Sequence, residues 1–106
     1  MNIKKGDLYY INPFDGGSGK GRAAVVVSAD DINQVNERIS VAYLSTSHSV
    51  QEGRTHVKLH SSGRPSFAIL EGVTTIPKTR LGSYIGCVTQ NEGAAIASAL
   101  CASFGL

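Results

Sequence analysis

The chain has no tryptophan, one methionine and two cysteines among its 106 residues, and each scarcity excludes something. Cys87 and Cys101 cannot build a disulfide scaffold. The opening Met1-Asn2-Ile3-Lys4-Lys5 turns polar at once with no apolar segment behind it. The expectation is a cytoplasmic protein with reduced thiols and no bond between the two cysteines. His48, His56 and His60 share no familiar ligand spacing with the cysteines, so neither a metal nor any other cofactor is expected. No hydrophobic run reaches the length of a membrane span. Charge of one sign is also scarce. A formal net charge of +2 neither predicts nucleic-acid binding nor argues against it, because local clustering matters more than the sum. No Ser-His-Asp order, paired catalytic carboxylates or HExxH pattern occurs. Lys20 is followed by Gly21 and a strand rather than by a hydroxyl residue and a helix, which excludes a P-loop. Repeats, low-complexity tracts and linkers are missing too.

What remains is a 42% hydrophobic chain that reads as one domain over residues 1–106. Its organising stretch is Gly16-Gly17-Ser18-Gly19-Lys20-Gly21-Arg22-Ala23-Ala24-Val25-Val26-Val27-Ser28. The glycines open conformations closed to other residues and leave backbone N–H groups accessible to an anion. The β-branched valines favour an extended, buried strand. Arg22 stands where the loop meets that strand, a position from which a forked, fixed charge can be held against a phosphate. The plainer reading is a solvated arginine at the end of a core strand.

The other elements follow from pattern. Residues 6–12 form a short aromatic strand stopped by Pro13, in which Tyr9 and Tyr10, with Phe14 beyond it, are either base-stacking residues or core. Residues 29–33 form a turn or brief helix with Asp30 and Asp31 available for capping. A third strand covers 39–44 and exits into the hydroxyl-rich 45–49. Residues 55–60 alternate at period two, with His56, Lys58 and His60 toward solvent. A turn at 61–65 precedes a strand at 67–70. Glu71 is either a base or a structural acceptor. Residues 71–76 lead into a polar, basic connection at 77–80, and the last strand is 83–88. Thr89-Gln90-Asn91-Glu92 fits a capping box. Ile96, Leu100 and Phe104 then make a helical stripe with Ala97 and Cys101 beside them, Cys101 as a small core residue, and Gly105 stops the helix. Short strands plus one terminal helix imply a small twisted sheet or barrel with the helix packed on it. Consecutive strands usually pair, which sets Arg22 near Ser45 and Thr46.

In order and spacing the chain resembles the MazF/PemK-type toxin endoribonucleases of bacterial toxin–antitoxin pairs. Lys5-Gly6-Asp7-Leu8-Tyr9-Tyr10 is similar to the family's K-G-D-hydrophobic-Y opening. Gly17-Ser18 through Arg22 and Val25-Val26-Val27-Ser28 resembles its G-S-E…R-P-x-V-V segment, and Leu44-Ser45-Thr46 its L-T-S turn. Arg80-Leu81, Tyr84-Ile85-Gly86 and Phe104-Gly105-Leu106 resemble its C-terminal third. The chain departs from the pattern in three places: Gly19 and Lys20 stand where the loop acid is usual, Ala23 where proline follows the arginine, and Ser45 where the family has threonine.

The resemblance implies a mainly β, SH3-like small barrel with a C-terminal helix, and a homodimer. It also implies metal-independent cleavage of single-stranded RNA by 2′-OH attack, neutralised by a cognate antitoxin. Arg22 would be the catalytic arginine, with Ser45 in the threonine slot and Thr46 one step later. Ser18 and Lys20 would touch RNA from the glycine loop. RNA specificity would come from loops, with His48, Gln51, Arg54, Lys78 and Arg80 as candidates. The alternatives are a non-catalytic gyrase poison of CcdB type, against which the missing tryptophan speaks, and a catalytically weakened RNA-binding relative.

Overall fold

The computed structural model describes residues 2–13, 21–47 and 49–106. In chain order these form β1 (Asp7–Ile11), β2 (Arg22–Val26), helix α1 (Asp30–Val35), β3 (Arg38–Ser45), β4 (His56–Leu59), β5 (Ser66–Ile69), β6 (Thr74–Pro77), β7 (Leu81–Cys87) and helix α2 (Gln90–Phe104). Single 3-10 turns at Leu70–Gly72 and Lys78–Arg80 flank β6. The strands are antiparallel in the order β4-β5-β3-β2-β1-β7, with β6 as a further partner of β3.

Strand β3 holds the sheet together. One edge pairs with β2 through Ala24↔Tyr43, Val25↔Ala42 and Val26↔Val41. Its other edge is shared: β6 takes the N-terminal half, from Arg38↔Pro77 to Val41↔Thr74, and β5 takes the end, at Leu44↔Ala68 and Ser45↔Phe67. Among the described residues no ladder joins β4 to β7, the two ends of the strand order. Even so, β7 approaches the end of β4, since a Cβ added at Gly86 would lie 3.6 Å from the Ser61 carbonyl oxygen.

Both faces of the central strands are covered, which is why β2 reads as a nearly continuous apolar run rather than an alternation. Leu8, Val25, Ala42 and Leu44 face Leu59, Leu70 and Ile96 in one core cluster. Tyr9, Ala24, Val26 and Val41 join Ile3, Ile39 and Ile76 in the other. Each large side chain so buried contributes about 1.5–3 kcal/mol.

Helix α2 starts as its sequence directs. The Thr89 hydroxyl accepts from the Glu92 amide while Glu92 accepts from the Thr89 amide, and Gly105 ends the helix at φ +70. The expected stripe holds only in part. Ile96 and Ala99 are buried and Leu100 half-buried, but Phe104 is 53% exposed and Ala97 and Cys101 are also exposed. Cys101 is therefore not a core residue: it follows Leu100 by about 100° of helical rotation, as Ala97 follows Ile96, which turns both away from the sheet. Helix α1 has no side-chain cap. Asp30 instead accepts from the Lys5 amide and Asp31 from the Ile32 amide. Residues 74–77, read from sequence as part of a connection, are a true strand. No helix among the described residues is long and apolar enough to cross a membrane.

Candidate active site

Arg22 is set by the residue before it. A Cβ at Gly21 would lie 2.1 Å from the Ile11 carbonyl oxygen, so only glycine lets the chain pass this close to β1. The β2–β3 register, carried to the strand ends, puts Arg22 opposite Ser45. The guanidinium is held from two sides: Nη2 donates to the Leu44 carbonyl at 3.2 Å, and Cζ lies 4.7 Å from the centroid of the Tyr43 ring. Among the described residues its remaining N–H groups have no hydrogen-bond partner, which suits them to an anion.

Arg22, Ser45 and Thr46 line one cleft of about 460 Å³, as the sequence implied, together with Tyr10, Ser47, Ser62, Arg64 and Ser66. Among the described residues, this lining contains no carboxylate and no imidazole. Arg64, Ser62 and Ser66 were not legible as site residues. They arrive on the β4–β5 hairpin because β5, not β4, pairs with the end of β3. A signal existed in Ser62-Gly63-Arg64-Pro65, a basic residue between two turn-formers, but nothing local says which strand end that turn overhangs. Tyr10 is 46% exposed at the cleft, whereas Tyr9 is core and meets Tyr84 edge-on at 5.4 Å.

The other described candidates lie elsewhere. Ser18, Lys20 and His48 fall outside the described residues, as does Phe14. Arg54 lines a separate cleft beside α2 with His56 and Ala99. Lys78 borders a groove with Val35 and Glu37. Arg80 donates from Nε to the Asn12 carbonyl at 3.0 Å. Gln51 takes part through its backbone, its carbonyl 3.1 Å from His56 Nδ1.

His56 is more than a solvent-facing residue. Its Nε2 lies 2.6 Å from Glu71 Oε1, so both ring nitrogens face acceptors and the doubly protonated ring satisfies both. The Glu71 hydrogen bond lifts the His56 pKa above its ordinary 6.5, against the opposing effect of burial. Burial pushes the Glu71 carboxyl up, but the His56 hydrogen bond and neighbouring donors outweigh it, and its pKa falls below 4.5. Glu71 is thus engaged as a structural partner outside the cleft.

Residues 4–104 match the family model for the "PemK-like, MazF-like toxin of type II toxin-antitoxin system". Among curated proteins no sequence matches significantly. The fold is similar to that of an endoribonuclease from Mycobacterial species, with a TM-score of 0.85, 21% identity, and coverage of 100% of this chain and 94% of that one. It is also similar to an endoribonuclease from Mycobacterial species in complex with its cognate antitoxin, at a TM-score of 0.82 and 22% identity over 99% and 95% of the two chains. A MazE–MazF structure from Deinococcus radiodurans matches at a TM-score of 0.80 and 16% identity over 100% and 99%.

Proposed function

From the premise that the chain belongs to the PemK-like, MazF-like toxins of type II toxin–antitoxin systems, we propose that it is a metal-independent, sequence-selective endoribonuclease acting on single-stranded RNA. It works as a single-domain protomer of a cytoplasmic homodimer. Its cognate antitoxin is an acidic segment that orders on the toxin surface. The observation that supports the reading is the convergence of Arg22, Ser45 and Thr46 in one cleft from two adjacent strands.

In the reaction the ribose 2′-oxygen attacks the adjacent phosphorus, the bond to the 5′-oxygen breaks, and the products are a 2′,3′-cyclic phosphate and a 5′-OH. The 2′-OH gives up a proton and the departing 5′-oxygen gains one. Negative charge accumulates on the non-bridging oxygens midway. Arg22, already oriented by Leu44 and Tyr43, stabilises that charge without reorganising, and the Ser45 or Thr46 hydroxyl donates to the same phosphate. Lys20 adds a positive charge from the glycine loop.

The test is incubation of the purified protein with a long single-stranded RNA in excess EDTA. The expected result is discrete fragments with 5′-OH ends, and a loss of about 10²–10³-fold in rate for Arg22→Ala. Intact RNA at high protein concentration overturns the reading.

A further inference from the structure

We propose that Arg64 is a second phosphate ligand of the same cleft, holding the RNA phosphate adjacent to the one that Arg22 holds. The proposal deepens the endoribonuclease reading and rests on it. Arg22 and Arg64 line one cleft from different parts of the sheet. Among the described residues neither guanidinium forms an ion pair, the pair that does form being His56 with Glu71. Two positive charges around a space lined by hydroxyls and free of described carboxylates make a site for a polyanion.

The Arg64 main chain is held in place. Gly63 before it adopts φ +97, open to few other residues, and Pro65 follows. Ser62 Oγ donates to the Arg64 carbonyl at 2.9 Å and lies 2.9 Å from Ser66 Oγ, on a residue only 3% exposed. The turn is also tied to α2, because Glu92 Oε2 accepts from the His60 amide and Oε1 from the Ser61 hydroxyl.

The sheet order sets the spacing. Strand β3, carrying Ser45, lies between β2, carrying Arg22, and β5, which leads back to Arg64. Two strand spacings separate Arg22 from Phe67, the β5 residue paired with Ser45, by roughly 10 Å, and Arg64 stands three residues before Phe67 in the turn that leads into β5. The two arginines therefore reach the cleft from walls on either side of Ser45 and Thr46, an arrangement that suits consecutive phosphates with those hydroxyls between them.

The experiment begins by mapping the cut site with the wild-type protein. Oligonucleotides spanning that site are then made uncleavable by a 2′-deoxy substitution, with single neutral methylphosphonates walked along them. Arg64→Ala should weaken binding of the all-phosphate oligonucleotide about tenfold and flatten its log–log salt dependence by about 0.7. Arg64→Lys should recover part of the loss. The penalty should vanish when the linkage next to the scissile one is neutral. Unchanged affinity in Arg64→Ala overturns the proposal. So does a penalty that vanishes only when the scissile linkage itself is neutral, since Arg64 would then share Arg22's phosphate. Wild-type protein that cuts no RNA removes the enzymatic reading and this one with it, an outcome distinct from both. An unchanged melting temperature in Arg64→Ala separates lost binding from lost fold.

Discussion

The Arg22 guanidinium lies across the Tyr43 ring, 4.7 Å from its centroid, in a diagonal pairing between β2 and β3. The aromatic face and the Leu44 carbonyl together fix the direction of a side chain that would otherwise sample many rotamers.

Removing the ring should therefore reduce turnover without touching substrate. A cation–π contact of this partly exposed kind is worth about 0.5–1 kcal/mol, or roughly a two- to fivefold change. Tyr43→Phe should leave RNA cleavage within twofold of wild type and Tyr43→Leu should slow it by that factor. Rates on one oligonucleotide at saturation check the difference.

Gly21→Ala has no room. The added methyl would meet the Ile11 carbonyl at 2.1 Å, a backbone atom that cannot swing aside. The strands must part, costing about 1–3 kcal/mol, and Arg22 moves with them. A lowered melting temperature together with a cleavage loss approaching that of Arg22→Ala is expected.

The His56–Glu71 pair should leave a pH signature on stability. The folded His56 pKa is raised, so its contribution is complete below about 6.5 and disappears as pH rises through the folded value. Glu71 is depressed, so its contribution is present above about 4.5 and disappears as pH falls through its folded value. The stability gap between wild type and His56→Gln should peak in that interval and narrow as pH rises through the folded His56 value. Since the side chains are 27% and 46% exposed, it should stay below about 1 kcal/mol. Urea denaturation across the range measures it.

Glu92 serves two elements at once. Thr89→Ala removes the helix cap and should cost about 1 kcal/mol. Glu92→Ala also releases His60 and Ser61, costing about 1 kcal/mol more. Burial alone would raise the Glu92 pKa. The donors from Ser61, His60 and Thr89 outweigh it and hold it low, so the difference between the two variants should shrink as pH falls below about 4.5. Thermal melts at two pH values check this, and RNA affinity should fall in Glu92→Ala but not in Thr89→Ala.

Features that rest on neighbouring residues were legible in the sequence. The valines of β2, the Thr89–Glu92 capping box and the pairing of consecutive strands that brings Arg22 to Ser45 all follow from local chemistry. Features decided by distant partners were not. Thr74–Pro77 has two exposed threonines and ends in proline, a pattern tolerated at a sheet margin, and becomes a strand because β3 has an open edge there. Arg64 reaches the cleft through β5 pairing with β3. The buried face of α2 is narrower than the stripe its sequence suggests: it runs through Ile96, Ala99, Leu100 and the half-buried Ser103, while Cys101, about 100° round from Leu100, and Phe104 at the helix end face outward. Gln51, Arg54, Lys78 and Arg80 are polar and sit in loops or turns, but polarity does not specify which end of the sheet a residue occupies.

The β4–β5 hairpin joins β3 through two paired positions, Leu44↔Ala68 and Ser45↔Phe67, while β2 and β6 grip the rest of that strand. In amide exchange this hairpin should behave as a leaf that opens at lower free energy than the β1–β2–β3 unit. The cleft then straddles a cooperativity boundary, with one arginine on the slow-exchanging body and the other on the leaf. A nucleic-acid strand gripping both would slow exchange in β4 and β5 far from any atom it touches.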